Sequence, residues 1–533
     1  MTEALRFHRM GSEALLAETG SLDAALALFD GLRNARIEGI TELVPAAQTV
    51  LIRYNPSLLT RHALEAVARG IDLSGYHLRY GEIFDIPVTY DGEDLQDVAE
   101  FLGWSVEDLI RRHGEATFTV AFTGFAPGFA YMTSDDPAFD VPRRKTPRVR
   151  IPAGSVAIAG RFGGIYPSDS PGGWQLLGRT PLKMWDLTRA RAALLTPGDQ
   201  VRFRDMTRHS SALAFAQAKD AGGEQATPPA SGLVVTRADR PALYQDLGRP
   251  GHADQGVSVS GAVDRASLIR ANRLVGNPPG MAAIEVTFGG FALRTDRAAT
   301  LAATGAPCPL EIRTADGRRL AAEIDRAVTL DAGDELVLGT PARGMRTYLA
   351  LRGGIEVLPA LGSASTDTLA RIGPPPIATG DVVIAANQRV GAVEIPATDA
   401  AILPRAEDLV CVDIELGPRQ DWFTENGLEA LLSQDWQVSS ESSRVGMRLT
   451  AETTIERANN AELPSEGAVR GAVQVPHSGQ PVVFLADHPL TAGYPVIGVV
   501  AAHHLDLLGQ IPIGARIRFH ARCKAAPSAR TQH

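Results

Sequence analysis

Phe118–Met132 reads FTVAFTGFAPGFAYM, and VRIPAGSVAIAG at Val149–Gly160 and QVRFRD at Gln200–Asp205 share its texture. Each is a short alternating or apolar run cut off by glycine, proline or charge. Period-two alternation puts successive side chains on opposite faces of a strand, and Gly and Pro mark the turns between strands. The same texture returns in GLVVTR (232–237), TLAATG (300–305), AVTL (327–330), ELVLG (335–339), YLALRGG (348–354), VVFLAD (482–487) and ARIRFH (515–520). Strands this short and numerous predict barrels or sandwiches rather than a doubly wound sheet. The 52 glycines and 35 prolines fit that reading, because turns consume them. A longer helical pattern interrupts at Arg265–Val275, and another is expected at Asp421–Leu432.

Ahead of this region the pattern changes. Leu22–Arg33 is an amphipathic helix candidate with Ser21 as its N-cap, Thr49–Tyr54 reads as a strand, and Leu58–Arg69 as a second helix ending at Gly70. With apolar runs at Ala14–Glu18, Ile40–Val44 and Tyr76–Phe84, the order approximates β-α-β-β-α-β, a ferredoxin-like unit. Asp94–Leu102 and Val106–His113 predict two short helices, better explained by packing than by DNA reading. Gln217–Ser231, QAKDAGGEQATPPAS, lacks periodicity and reads as a linker. The expected fold is α+β, mainly β: an N-terminal unit over 1–85, a barrel over 86–215, a linker over 216–231 and β modules over 232–525. A length of 533 residues accommodates that many units, at roughly 150 residues per domain.

Composition excludes several functional classes. A net charge of −9 argues against a general nucleic-acid binder, whose affinity rests on phosphate neutralisation. The three cysteines, Cys308, Cys411 and Cys523, are far apart and make neither a disulfide scaffold nor a zinc knuckle. Neither a signal peptide nor an apolar run of membrane-spanning length is present, so the expected compartment is the cytoplasm and no membrane partner is expected. Lysine occurs only at 145, 183, 219 and 524, which leaves anion handling to arginine forks and backbone N–H groups. P-loop, dinucleotide-binding and GxSxG motifs are absent. Lys183-Met184 lacks the preceding methionine of a biotin-attachment sequence, so biotin is not expected on this chain. His503-His504 with Asp506 is a local cluster, but adjacent side chains usually diverge, and no metal is expected there.

The informative loops combine glycine, proline, aromatics and polar groups: Gly124–Tyr131 (GFAPGFAY) and Tyr166–Trp174 (YPSDSPGGW), the latter continuing to Gly178-Arg179-Thr180. Successive turn N–H groups can bind an oxyanion, and glycines permit close backbone approach. A tight barrel corner packed by Trp174 would use the same residues. Both readings stay open on the residues alone.

These loops, with TPRVRIPAGSVAIAG (146–160), resemble the family called allophanate hydrolase subunit 1, or carboxyltransferase subdomains C and D. The stretch 244–287, TYLALRGGIEVLPALGSAST (347–366), GPRQDWF (417–423), SSRVGMRL (442–449), SEGAVRGAVQVPHSGQPVVFLAD (465–487) and TAGYP (491–495) resemble its companion, subunit 2 or subdomains A and B. The resemblance implies cyclophilin-like barrel modules and a fusion of two normally separate subunits. It also implies the B–C component of an ATP-dependent 5-oxoprolinase, converting 5-oxo-L-proline to L-glutamate beside a separate LamB/YcsF-type A subunit. Its alternatives are the carboxyltransferase module of a urea or amide carboxylase served by a separate biotin carrier, and a KipI–KipA-like kinase regulator. ATP is thus implied for the complex, at a site the motifs do not locate.

Lactam and urea chemistry share an N–C=O unit whose oxygen must gain negative charge, which calls for preorganised donors and a proton-transfer group. The candidates within the matching motifs are Arg143, Arg148, Arg179, Arg249, Arg444 and the Gly172-Gly173 turn as donors. Glu285, Glu466 and Asp487 are the proton-transfer candidates, with Ser260, Gln474 and Tyr494 orienting substrate. For any single arginine or carboxylate, stitching a barrel together is the favoured role, while a site among them collectively is expected. Val263, Gly290, Ala364 and Ala492 depart from the family pattern, and Ala364 weakens an arginine anion site in its loop.

Overall fold

Side-chain caps begin the helices where the sequence offers them. In this computed structural model, which describes residues 5–73, 81–144, 146–206, 232–394 and 402–522, Ser21 caps helix Leu22–Ala35 through the N–H of Ala24. Thr60 does the same for Arg61–Arg69, Ser105 for Val106–Glu115, and Asp264 for Arg265–Leu274. The linker candidate Gln217–Ser231 lies outside the described residues.

The N-terminal unit is a four-stranded antiparallel sheet carrying two helices. Its strand order is Arg6–Arg9, Ala14–Glu18, Thr49–Tyr54, Ile40–Pro45. The edge beside Ala14–Glu18 is filled by the N-terminal hairpin strand, not by the run expected at Tyr76–Phe84. Of that run, Tyr76–Tyr80 lies outside the described residues, and Ile83–Val88 joins the next sheet. A hairpin wins this edge because Gly11, at a positive φ of 78°, lets the chain fold straight back.

The second unit is a seven-stranded sheet ordered Gln175–Arg179, Ser155–Ala159, Phe162–Ile165, Ala130–Ser134, Phe118–Thr123, Gln200–Asp205, Ile83–Val88. Thr89 and Arg179 exchange backbone hydrogen bonds of 2.9 Å, tying the two edges together into a barrel. Phe118, Val120, Met132, Val156, Ile158 and Phe203 fill its interior, and helices Leu95–Leu102 and Val106–Glu115 cover it. His113 belongs to the same core, stacked on Phe203 at 4.4 Å and bonded to the Tyr90 hydroxyl at 2.7 Å.

Beyond residue 232, a six-stranded and a five-stranded sheet pack around Val235, Ile284, Phe291, Leu336 and Leu349. Helix Arg265–Leu274 lies on the five-stranded sheet. A closed seven-stranded barrel, beginning with Leu409–Leu416 and ending with Arg516–Ala521, completes the chain around Trp436, Val473, Val483 and Phe519. The mainly-β, barrel-rich α+β fold expected from the strand texture is the one observed. Among the described residues no helix is long and apolar enough to cross a membrane.

The N-terminal sheet does not stand free. Met10, Leu16, Val44 and Leu51 share one apolar cluster with Val469, Phe484 and Val499 of the final barrel. The Gly124–Tyr131 loop continues this contact. Gly128 N–H reaches Gln255 O at 2.9 Å, Thr123 Oγ1 reaches Ala253 O at 2.9 Å, and Phe125 N–H reaches Thr491 Oγ1 at 2.9 Å. Thr491 sits so close to Gly124 that a Cβ there would meet its Cγ2 at 2.8 Å and its hydroxyl closer still. Gly124→Ala is therefore expected to destabilise the chain by about 1–3 kcal/mol in chemical unfolding. Gly114→Ala, whose Cβ would meet only Phe203 O at 3.4 Å within a helix, should be neutral or stabilising in the same assay.

Candidate functional site

The two halves of the chain enclose a cavity of about 340 Å³ at their seam. One wall comes from both glycine-rich loops of the first half. Phe129 lies edge-on to Tyr166 and Trp174, each at 5.3 Å between ring centroids, and Tyr131 meets Trp174 at 5.6 Å. Gly172 must be glycine here, because a Cβ would run into the Tyr166 hydroxyl and would stand 2.9 Å from Ile151. The opposite wall comes from the final barrel through Arg457, Glu462, Ser465, His477, Thr491 and Tyr494.

Polar groups gather on this cavity from both sides. The Tyr131 hydroxyl lies 3.4 Å from Ser465 Oγ, across the seam. Burial pushes the Tyr131 and Tyr166 phenols up, so both remain protonated donors at neutral pH. Arg143 faces Glu462 at 3.8 Å. Arg457 donates to Val475 O, lies 3.3 Å from His477 Nδ1 and sits over the Tyr494 ring at 5.8 Å. Desolvation lowers its pKa from the usual arginine value, yet it stays cationic. Arg144 also lines the cavity and is anchored by Asp94, which is buried. Burial alone would raise the Asp94 carboxyl, but hydrogen bonds from Arg148 and the Leu176 N–H, with the arginine charges, hold it below the ordinary range. Arginine forks and protonated phenols beside an aromatic wall suit a small ligand carrying a carbonyl and an anionic group.

Of the residues singled out from the sequence, Arg143, Gly172, Gly173 and Tyr494 line the cavity. Gln474 stands behind it, donating to Tyr494 O at 3.0 Å. Glu466 follows Ser465 and binds Arg419, which also reaches Glu18 at 3.0 Å. Burial raises the Glu466 carboxyl despite Arg419. Arg148 pairs with Glu93 and Asp94, supporting Arg144 from behind. Arg179 is exposed and paired with Asp91 at 2.8 Å, where the first barrel closes.

The remaining candidates come together elsewhere, in a closed charge network. Arg444 grips both oxygens of Asp487 at 2.9 and 3.0 Å and donates to Glu285 at 2.5 Å. Glu285 also accepts from the Tyr348 hydroxyl at 2.7 Å, and Asp487 from Ser260 Oγ at 2.6 Å and from Thr368. Neither carboxylate reaches solvent: Glu285 is 1% exposed and Asp487 0%. Arg249 lies beside them, bonded to the carbonyls of Ala360 and Ser365, with burial lowering its pKa. The loop containing Ala364 cradles a carboxylate rather than an anionic ligand, since Ser363, Ala364 and Ser365 all donate to Asp246.

The histidine pair also has a different partner from the one its sequence suggested. Asp413, not Asp506, completes a three-residue group with His503 and His504, whose rings lie 4.2 Å apart. His504 Nδ1 already accepts the Asp413 N–H at 2.9 Å, so its lone pair is engaged. Asp506 instead caps helix Arg265–Leu274 through the N–H groups of Arg265 and Ala266.

Tyr131, Tyr166 and Trp174 lie in the two glycine-rich loops, but nothing in the sequence set those side chains apart as ligand-facing. Arg457, Glu462 and His477 were missed altogether. The first two fall between the family motifs and His477 inside one, and none sits in a periodic pattern that would mark it.

Comparisons with known proteins agree with this architecture. Residues 5–195 match the carboxyltransferase domain, subdomain C and D, and residues 255–521 match the carboxyltransferase domain, subdomain A and B. The chain belongs to this carboxyltransferase-domain family, with both subdomain pairs in one polypeptide. It is similar to the C subunit of 5-oxoprolinase from Escherichia coli (strain K12), 34% identical over 290 residues, covering 54% of this chain and 90% of that protein. It is also similar to the B subunit of 5-oxoprolinase from Escherichia coli O157:H7, 40% identical over 176 residues, covering 32% of this chain and 80% of that protein. A urea amidolyase of Saccharomyces cerevisiae is 31% identical over 310 residues, but the match covers only 16% of that protein. The crystal structure of TTHA0988 superposes with a TM-score of 0.80 at 33% identity, covering 96% of this chain and 100% of that one.

The Arg444 network makes a clear mutational prediction. Arg444→Met strips Asp487 of its two-point partner and leaves Glu285 only Arg346, 3.4 Å away, and should cost about 3–5 kcal/mol of stability. Chemical unfolding checks this, and an unchanged midpoint would show that the network does not hold the fold.

Proposed function

We propose that this chain is the fused B–C component of an ATP-dependent 5-oxoprolinase, opening 5-oxo-L-proline to L-glutamate together with a separate LamB/YcsF-type A subunit. The observation that carries this reading is the seam cavity, whose walls come from the B-like and the C-like halves together. A site divided between two subunits in the relatives would be held permanently assembled by their fusion.

The chemistry of the walls suits the substrate. The five-membered ring packs against Phe129 and Trp174, and its carboxylate pairs with Arg143 or Arg457. Tyr131 and Ser465 then point hydroxyls at the lactam oxygen, where charge develops as the amide is attacked. Because burial keeps Tyr131 protonated, it donates without a proton having to arrive first. Ring opening adds water across the C–N bond, leaving a carboxylate and an amine. In the complex ATP supplies the driving force. Biotin is not expected on this chain, whose Lys183-Met184 lacks the preceding methionine of an attachment sequence, and it enters only under the competing carboxyltransferase reading, with a separate carrier protein.

Mixing the chain with its cognate A protein, ATP and 5-oxo-L-proline should yield glutamate and ADP, whereas this chain alone should yield neither. In that assay Tyr131→Phe should lower kcat about 100-fold or more. Arg457→Gln should act chiefly on KM. Failure of the reconstituted mixture to form glutamate, or abolition of its activity by avidin, would overturn the assignment, the latter in favour of biotin-dependent carboxyl transfer.

A further inference from the structure

A second cavity, of about 90 Å³, lies between the N-terminal hairpin and the C-terminal half and shares no lining residue with the seam cavity. Three arginines from separate parts of the chain converge on it: Arg53, Arg265 and Arg470. Like charges are not brought together in a partly closed space without cost. Arg53 is paired with Glu42 at 3.2 Å. Arg470 spends its Nη2 on Val263 O, Leu505 O and Asp506. Arg265 is different. Its backbone N–H is capped by Asp506, but its guanidinium makes no ion pair among the described residues, and its buried Nε, like that of Arg470, has no hydrogen-bond partner.

We propose that this cavity is an oxyanion site that takes a phosphate group, held chiefly by Arg265 with Arg53 and Arg470. The guanidinium fork matches a tetrahedral oxyanion, and a dianion can be shared among cations arriving from different directions. Burial, reinforced by the charges of Arg470 and Arg53, pulls Arg265 down to about 10, which an incoming anion would relieve. The carboxylate facing the cavity is Glu13, while Glu42 and Asp506 are neutralised by the arginines they bind. Ser12, Ser260 and His488 add to the polar lining; burial lowers His488 to about 4, so it contributes a neutral ring.

The space also limits the ligand. About 90 Å³ admits a phosphate with a water or two but not a nucleoside. A wider opening of about 390 Å³ shares Glu13, Arg53, Val259 and Arg265 with the cavity and leads outward from it. The phosphate could therefore be free or the end of a longer molecule. Neither alternative depends on the seam cavity or on the reaction proposed for it.

Titrating inorganic phosphate into the full-length chain at constant ionic strength, followed by calorimetry and phosphorus NMR, tests the site. Saturable one-site binding is expected, weakened at least tenfold by Arg265→Gln. Arg53→Gln, at a partly exposed position, provides a second variant should the first fail to fold, and it too should weaken binding. ATP that competes with phosphate would assign the site to a nucleotide's phosphate tail; phosphate binding indifferent to ATP would assign it to the free ion. Absence of saturable phosphate binding by the unaltered chain, or binding that the folded variants leave unchanged, would overturn the proposal.

Discussion

Everything that brings chemistry together in this chain depends on the apolar contact between the N-terminal sheet and the final barrel. Met10, Leu16, Val44 and Leu51 bury themselves against Val469, Phe484 and Val499. Apart, each half would expose part of this surface to water, at roughly 25 cal/mol for every Å² of apolar area. Joined, they bring the Tyr131 loop opposite Ser465 and Thr491, and the seam cavity follows from that juxtaposition. Arg419 fixes the alignment by binding Glu18 of the first half and Glu466 of the second. Its pairing with Glu466 orients the strand that begins directly after Ser465.

Charge plays a different part within the second half. Arg444, Glu285 and Asp487 lie between the sheets that follow residue 232 and the terminal barrel, almost wholly out of solvent. A buried ion network is weak as a source of net stability, since desolvation consumes most of the attraction. Its directional hydrogen bonds nevertheless admit only one arrangement of the two β units. Asp367, next to this network, shows the strain of crowding: burial and the Asp487 charge push its carboxyl well above the ordinary range. The network reads as the device that orients one β unit against the other, leaving the open cavity to the loops.

The strand texture of Phe118–Met132 was enough to reveal a barrel-rich fold, because alternation and turn residues are local signals. The caps at Ser21 and Asp264 were local as well, and the helices began where these residues stand. The edge strand of the N-terminal sheet was not legible, because pairing partners are chosen by competition across the whole sheet. Arg6–Arg9, with Phe7 as its single apolar side chain, took that edge through its hairpin with Ala14–Glu18. The site divided in the same way. Gly172-Gly173 is legible through loop composition and Tyr494 through its family motif, whereas Arg457 and His477 reach the cavity only through tertiary contacts. Glu285 and Asp487 were conspicuous as carboxylates in motifs, but their partner Arg444 lies 159 and 43 residues away. No spacing rule distinguishes such a buried pair from an exposed proton-transfer group.

If the seam cavity built by both halves is where substrate binds, a crystal structure of the chain with its partner protein and 5-oxo-L-proline will show it most directly. The lactam ring is expected against Phe129 and Trp174, its carboxylate on Arg143 or Arg457, and its carbonyl oxygen near Tyr131. A ligand seated instead against Glu285 and Asp487, or held wholly by the partner protein, would contradict that placement.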